Sequence, residues 1–284
     1  MISLKDKIYI LDGAMGTMIQ KHGAAEADNN SERLNLTRPE VIKKIHKEYI
    51  AAGADIIETN TFSANAISQE EYGCAAMAGQ MAYAGAVIAR EAADETEAMA
   101  AEIGLSRKVW VAGSMGPTSK SLSLSPDAGD PAFRTHSFDQ MYEAYREQAE
   151  ALIRGGVDLL LIETCFDALN TKAALAAIAD CQSSEPVPVI VSVSVGDRSG
   201  RTLTGQTIEA FYTSVRHYPI LAFGLNCSLG AAELTPLVED ISSWCECAVS
   251  CYPNAGLPNE MGGYDQTPED MAREVKEYIE EGLV

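Results

Sequence analysis

Two carboxylates and a thiol stand where short apolar runs end. Asp12 lies near the end of YILDG (9–13), Glu163 near the end of DLLLIET (158–164) and Cys227 near the end of LAFGLNCS (221–228). A carboxylate that follows an apolar strand is costly to bury alone, so Asp12 and Glu163 must either meet a cation or stay wet. Glu163 therefore has two readings, a salt bridge within the protein or a receptor for the ammonium group of a ligand. Cys227 is likewise either a small buried hydrophobe or a ligand-binding thiol. Asp12 opens DGAMGT (12–17), where Gly13 and Gly16 let a bound molecule approach the backbone and N–H groups can hold a carboxylate. A plain βα turn has the same composition. Cys165 and Cys251 follow or sit in further apolar runs and, with Cys227, would allow an all-thiolate zinc site, although no Cys-x-x-Cys pair supports one. His22, His46, His136 and His217 show no metal spacing and none ends a strand, so a histidine triad or His-rich metal centre is not expected.

The elements that must position these residues are legible as an alternation of β and α. Besides the three runs above, DIIETN (55–60), KVWVAGSMG (108–116), VPVIVSVSV (187–195) and CAVSCYPN (247–254) read as buried parallel strands, which makes seven. A helix is expected over 38–52, begun by a Thr37/Glu40 capping box and ended by Gly53. A second covers 138–154 and stops at Gly155-Gly156; a third starts at Thr267-Pro268-Glu269-Asp270 and runs to Gly282. GADIIETNTF (53–62) and GVDLLLIETCF (156–166) echo one another, and the two-residue difference in their Asp-to-Glu separation keeps Glu58 and Glu163 on equivalent strand faces. Seven such units over 284 residues predict an α/β protein with a single domain (1–284), a (β/α)8 TIM barrel that lacks its eighth strand as the chain is given. An open doubly wound sheet is the competing architecture, but no strand is followed by a G-x-G-x-x-G fingerprint. In a barrel the C-terminal strand ends build the active site, which would gather Asp12, Gly13, Glu58, Asn60, Thr61, Ser114, Glu163, Cys165, Asn226, Cys227, Cys251 and Asn254 at one mouth. Cys245 and Cys247 would fall toward the opposite end.

Composition narrows the partners. Lys plus Arg number 21 against 41 Asp plus Glu, a formal charge of −20, which repels nucleic-acid phosphates and anionic lipid headgroups. The opening MISLKDKIYI has no signal-peptide pattern, and no apolar run is long enough to span a bilayer. Seven cysteines, an odd number spread through a long chain, read as reduced thiols and a cytoplasmic setting.

A set of segments in one order resembles the homocysteine-binding domain of cobalamin-dependent methionine synthase, within the homocysteine S-methyltransferase family. They are LDGAMGTMIQ (11–20), RPEVIKKIHKEYIAAGADIIETNTF (38–62), GSMGPTSKSLSLSPD (113–127), DPAFR (130–134), LIETCFDALNTKAA (161–174), SGRTLTGQT (199–207), FGLNCSLG (223–230) and PNAGLPN (253–259). The resemblance implies a TIM barrel in which a zinc ion held by three cysteines binds the homocysteine sulfur, a thiol that coordination deprotonates. It matches Cys227 to the first zinc ligand and catalytic centre. Asp12, Gly13, Thr59 and Glu163 match positions that hold the amino-acid end of homocysteine, Phe62 lines the pocket, and Asn226 belongs to the same site. The family's other two ligands form a Gly-Gly-Cys-Cys motif on the eighth strand, which this sequence does not contain. Three readings follow: an N-terminal part of a longer multidomain enzyme served by cobalamin-binding and methyltetrahydrofolate-binding modules; a site in which Cys165 and Cys251 substitute; or a metal-free, non-catalytic amino-acid-binding barrel. A stand-alone methyltransferase using a small sulfonium or ammonium donor is the enzymatic alternative.

Overall fold

Among the described residues, six parallel strands lie side by side in the order in which the chain makes them. They are β1 (Ile56–Glu58), β2 (Trp110–Met115), β3 (Leu159–Cys165), β4 (Val189–Val193), β5 (Ile220–Gly230) and β6 (Ala248–Asn254). The computed structural model describes residues 2, 4, 7–24, 29–182, 186–256 and 266–284. Within these residues the helices are α1 (Met15–Lys21), α2 (Leu34–Thr37), α3 (Pro39–Ala52), α4 (Ala66–Gln69), α5 (Ala78–Glu102), α6 (Phe138–Arg154), α7 (Ala168–Cys181), α8 (Ile208–Val215), α9 (Ala231–Trp244) and α10 (Pro268–Glu280). A doubly wound sheet would reverse its strand order part-way, and this one does not. The consecutive order is that of a curled, barrel-type sheet. None of the helices is long and apolar enough to cross a membrane.

The expected first strand contributes a single parallel bridge, Leu11 to Ile56. Around it the N–H groups of Asp55 and Ile56 donate to the Ile10 carbonyl, and Asp12 N–H donates to the Ile56 carbonyl. The run YILDG is thus docked on β1, but the Asp12-Gly13 turn ends it after one bridge.

Strand alternation sorts the core into two layers. Ile56, Ala112, Leu159, Leu161, Ile190 and Ala222 form one cluster with Leu11 and Tyr252, on the inner face. Ile57, Val111, Leu160, Ile162, Val191, Phe223 and Leu225 form the other, against the helices. Helix ends follow local chemistry. α6 has a Ser137/Gln140 capping box, and α10 has Thr267 capping Asp270 with Pro268 in its first turn. Gly53 ends α3 in the left-handed region at φ 118°. The Thr37/Glu40 box does not form. Thr37 closes α2, its hydroxyl donating to the Arg33 carbonyl, and Arg38 becomes the N-cap with Pro39 as the first helical residue. The last residues of the segment PNAGLPN, 257–259, lie outside the described residues.

Gly224 allows β5 and β6 to approach, because a Cβ there would lie 1.7 Å from the Ser250 carbonyl oxygen. Backbone cannot yield cheaply, so Gly224→Ala is expected to lower stability by about 3 kcal/mol or more. Chemical denaturation of the variant checks this, and an unchanged unfolding midpoint would contradict it.

Candidate functional site

The inner face ends in polar residues. Continuing each strand by alternation from its inner apolar residues leads from Ile56 to Glu58, from Ala112 to Ser114, from Leu161 to Glu163, from Ile190 to Ser192 and from Ala222 through Gly224 to Asn226. Asp12, at the end of the docked first run, accepts a hydrogen bond from Glu58 N–H at 3.1 Å. Ser114 Oγ donates to Glu163 Oε1. Three carboxylates therefore share one mouth, with Glu163 buried and Asp12 and Glu58 half-buried.

Each carboxyl is pushed toward its neutral form. Exclusion of water raises Asp12 well above the usual range, and the Glu163 charge adds to it. Glu58 is raised well above its ordinary value by desolvation, then by Glu163, Asp12 and Cys227. Glu163 is pushed up from 4.5 to about 7 by burial, against the opposing hydrogen bond from Ser114. No cation among the described residues offsets these charges, and no described donor reaches Asp12 Oδ1.

The other ends of the echoed strands are different. Asp55 pairs with Lys7 at 2.9 Å, and Asp158 pairs with Arg90 at 2.7 Å while accepting from Val111 N–H. Cations are thus supplied to the aspartates at the far end, and among the described residues none meets the glutamates at the mouth. Such an arrangement can receive a cationic ligand group.

Asn226 ties the β3 and β5 ends together. Its Oδ1 accepts from Thr164 N–H at 3.0 Å and Ser192 Oγ at 2.7 Å, while its Nδ2 donates to Thr164 Oγ1 at 2.8 Å and Cys227 Sγ at 3.2 Å. Thr164, Cys227 and Ser228 all have positive φ, between 55° and 65°, an arrangement that non-glycine residues adopt at a cost. The kink at Thr164 coincides with a register shift between Ile162 and Cys165. It reverses the alternation, so Glu163 faces the mouth while Cys165, two residues on, packs among the helix-facing side chains. Cys251 lies against that same outer cluster. Neither accompanies Cys227, and both thiols are pushed up to about 12 by burial. The substitution of Cys165 and Cys251 as zinc ligands is therefore not what this geometry provides.

The remaining expected residues divide between the mouth and its supports. Gly13 lies under Tyr49, whose ring atoms come within 3.0 Å of where a Cβ would stand, and Tyr49 Oη donates to the Ala14 carbonyl at 2.9 Å. Phe62 is 36% exposed and its ring covers Gly116. Thr59 Oγ1 accepts from Ser114 N–H at 3.0 Å and bonds Thr61 Oγ1 at 2.6 Å, so its side chain knits strand ends together. Asn60 similarly holds Ser31 and Asn35. Glu58 had a place at the mouth in the sequence but no role; its equivalence to Glu163 in the echoed segments is the signal for one. Ser192 and Tyr252 carried no sequence signal. Tyr252 is raised well above its usual range by burial and by Glu163 and Glu58.

Comparison with known proteins agrees with the geometry. The sequence profile described as homocysteine S-methyltransferase matches residues 9–284. The chain belongs to the homocysteine S-methyltransferase family. It is accordingly a methyltransferase. The fold also resembles crystal structures of the homocysteine methyltransferase MmuM from Escherichia coli, at 23% identity. The metallated form superposes with a TM-score of 0.76, over 96% of this chain and 98% of that one. The apo form gives 0.69, over 96% of each chain. In this family member the mouth thiol is Cys227, held in its neutral form by burial and by the Glu163 charge. A catalytic zinc site takes three protein ligands. Among the described residues no three His, Cys, Asp or Glu side chains gather to hold a metal, so the set does not fit a resident zinc by itself.

A carboxyl whose folded pKa is raised contributes stability below its unfolded value and loses it as pH rises through the folded value. Glu163→Gln, which removes the ionisation between 4.5 and about 7, should match wild type in stability near pH 4. At pH 8 it should be more stable, by up to about 3 kcal/mol at ~1.4 kcal/mol per pH unit. Thermal unfolding at both pH values checks this; a variant less stable than wild type at pH 8 contradicts it.

Proposed function

We propose that this mouth binds homocysteine and that the protein methylates its sulfur to give methionine. The carrying observation is the group of three carboxyls, Asp12, Glu58 and Glu163, raised together with no cation among the described residues. The substrate ammonium supplies the missing charge, with Asp12 and Glu163 as its principal acceptors. N–H groups of the Asp12-Gly13 turn and of the Thr59 region receive the substrate carboxylate, Phe62 borders the side chain, and Asn226 holds Cys227 beside the sulfur. In the transfer a sulfur–methyl bond forms as the methyl–donor bond breaks, the donor keeps the bonding electrons, and the thiol proton is released. Cys227 occupies the position that the resemblance gives to the first zinc ligand; further zinc donors would come from outside the described residues.

Family membership and the consecutive sheet support closure as an eight-stranded barrel, with the chain as one catalytic domain of a cytoplasmic enzyme. The matched segments favour methylcobalamin as donor, presented by a separate cobalamin-binding module and recharged from methyltetrahydrofolate on another. A second reading has its own support. Three carboxylates outnumber one ammonium, which favours a small sulfonium or ammonium donor carrying its own positive charge.

Homocysteine binding must ionise Glu163, so affinity should rise with pH through about 7 and binding at neutral pH should release protons. Calorimetry in buffers of different ionisation enthalpy measures that release; pH-independent binding without proton release contradicts the reading. Asp12→Asn and Glu163→Gln should each weaken binding about tenfold to hundredfold, the ~1.5–3 kcal/mol of a charged hydrogen bond. Isotope-labelled methyl transfer then separates the donors. Labelled methionine from methylcobalamin supports the first, and from S-methylmethionine alone the second. Binding with no turnover from either overturns the catalytic proposal for this chain.

A further inference from the structure

The end of the sheet remote from the mouth carries a pair of thiols that the methyl-transfer reading does not use. Cys245 follows α9, and Cys247 immediately precedes β6, with only Glu246 between them. Their sulfurs are 3.4 Å apart. Cys245 has left the helix for an extended conformation (φ −71°, ψ 130°), which turns residues two apart to the same side. The turn is fixed at several points. Cys245 N–H donates to the Ile241 carbonyl at 2.8 Å, Glu246 N–H donates to Tyr212 Oη at 3.2 Å, and the Glu246 carboxylate pairs with Arg216 at 3.0 Å. Both thiols are half-buried, so a small reactant can reach them.

We propose that Cys245 and Cys247 are a redox-active dithiol that closes reversibly to a disulfide by exchange with a low-molecular-weight disulfide of the glutathione class. The Cys245 thiolate attacks one sulfur of the reactant disulfide, forming a mixed disulfide and expelling one thiolate. Cys247 then loses its proton and attacks Cys245 Sγ, forming the internal bond and expelling the second thiolate. The protein pair is oxidised by two electrons and the reactant is reduced to two thiols, one taking the Cys247 proton and the other a proton from water.

The chemistry of the pair suits this order of events. The Cys247 thiol donates toward Cys245 and, as the largest influence, pulls its pKa down to about 6, while Cys247 itself is raised by the same interaction. One sulfur is thus a thiolate at neutral pH and the other a resolving thiol held within contact. Cys165 and Cys251 differ, since desolvation pushes both up to about 12. A reporter sits beside the pair. Trp244 precedes Cys245 and packs on Tyr212 with ring centroids 5.3 Å apart, so closure is coupled to its surroundings.

The test equilibrates the full chain, reduced at the start, in buffers of stepped reduced-to-oxidised glutathione ratio. Acid quenching, alkylation and tandem mass spectrometry then locate each thiol. The expected result is loss of two hydrogens confined to Cys245 and Cys247, with the other five cysteines still alkylated at the midpoint, and a change in tryptophan emission at the same ratio. Cys247→Ser should instead retain a glutathione adduct on Cys245 and lose the emission change. If wild type keeps both thiols alkylatable while the equally half-buried Cys74 acquires glutathione, or holds only an unresolved adduct at Cys245, the proposal is overturned.

Discussion

The site depends on negative charge placed where water is scarce and where the described residues supply no cation to meet it. Burial of a carboxylate is tolerated when a cation or a set of N–H groups meets it. At the far end of the echoed strands that requirement is fulfilled by Lys7 for Asp55 and by Arg90 for Asp158. At the mouth it is fulfilled only in part, by Glu58 N–H toward Asp12 and by the Ser114 hydroxyl toward Glu163. Burial therefore raises Glu163 to about 7, and a cation entering the mouth would shift it to the charged form. The same imbalance costs stability, a cost that the proposed binding of an ammonium group would offset.

Holding the mouth in shape falls to a few strained residues. The left-handed conformations of Thr164, Cys227 and Ser228 interrupt the alternation at the C-terminal ends of β3 and β5. Asn226 bridges both interruptions with three hydrogen bonds and accepts a fourth from Ser192 on β4. The kinks are what separate Glu163 from Cys165 and present Cys227 at the mouth. Supporting bonds from Thr59, Thr61 and Gln148 fasten the β1 and β2 ends behind them. A bent strand end stabilised in this way presents side chains that a straight strand would turn elsewhere.

Much of this was legible in the residues. Apolar runs located the six strands, and capping chemistry located α6 and α10, because these signals act over a few neighbouring residues. The Gly-x-Asp to Glu-Thr echo placed Glu58 and Glu163 on one face. Other features were not accessible to local reading. Alternation alone would put Cys165 beside Glu163, and only the register shift with the Thr164 kink sends it outward. The Thr37 hydroxyl was claimed by the Arg33 carbonyl because α2 runs directly up to α3. Likewise the roles of Ser192 and Tyr252 arise from strands far apart in sequence, and the first strand shrank to one bridge because its turn begins at Asp12. The family resemblance named the mouth residues, while the charge imbalance among Asp12, Glu58 and Glu163 emerged from the assembled geometry.

The measurement that addresses this account most directly is calorimetric comparison of homocysteine with 4-mercaptobutyrate, the same molecule without its amino group. The carboxylates predict that removing the ammonium weakens binding at pH 7.5 by about a hundredfold, with no proton release from Glu163. Equal affinity for the two molecules would contradict it, since the uncompensated carboxylates would then have no part in recognition.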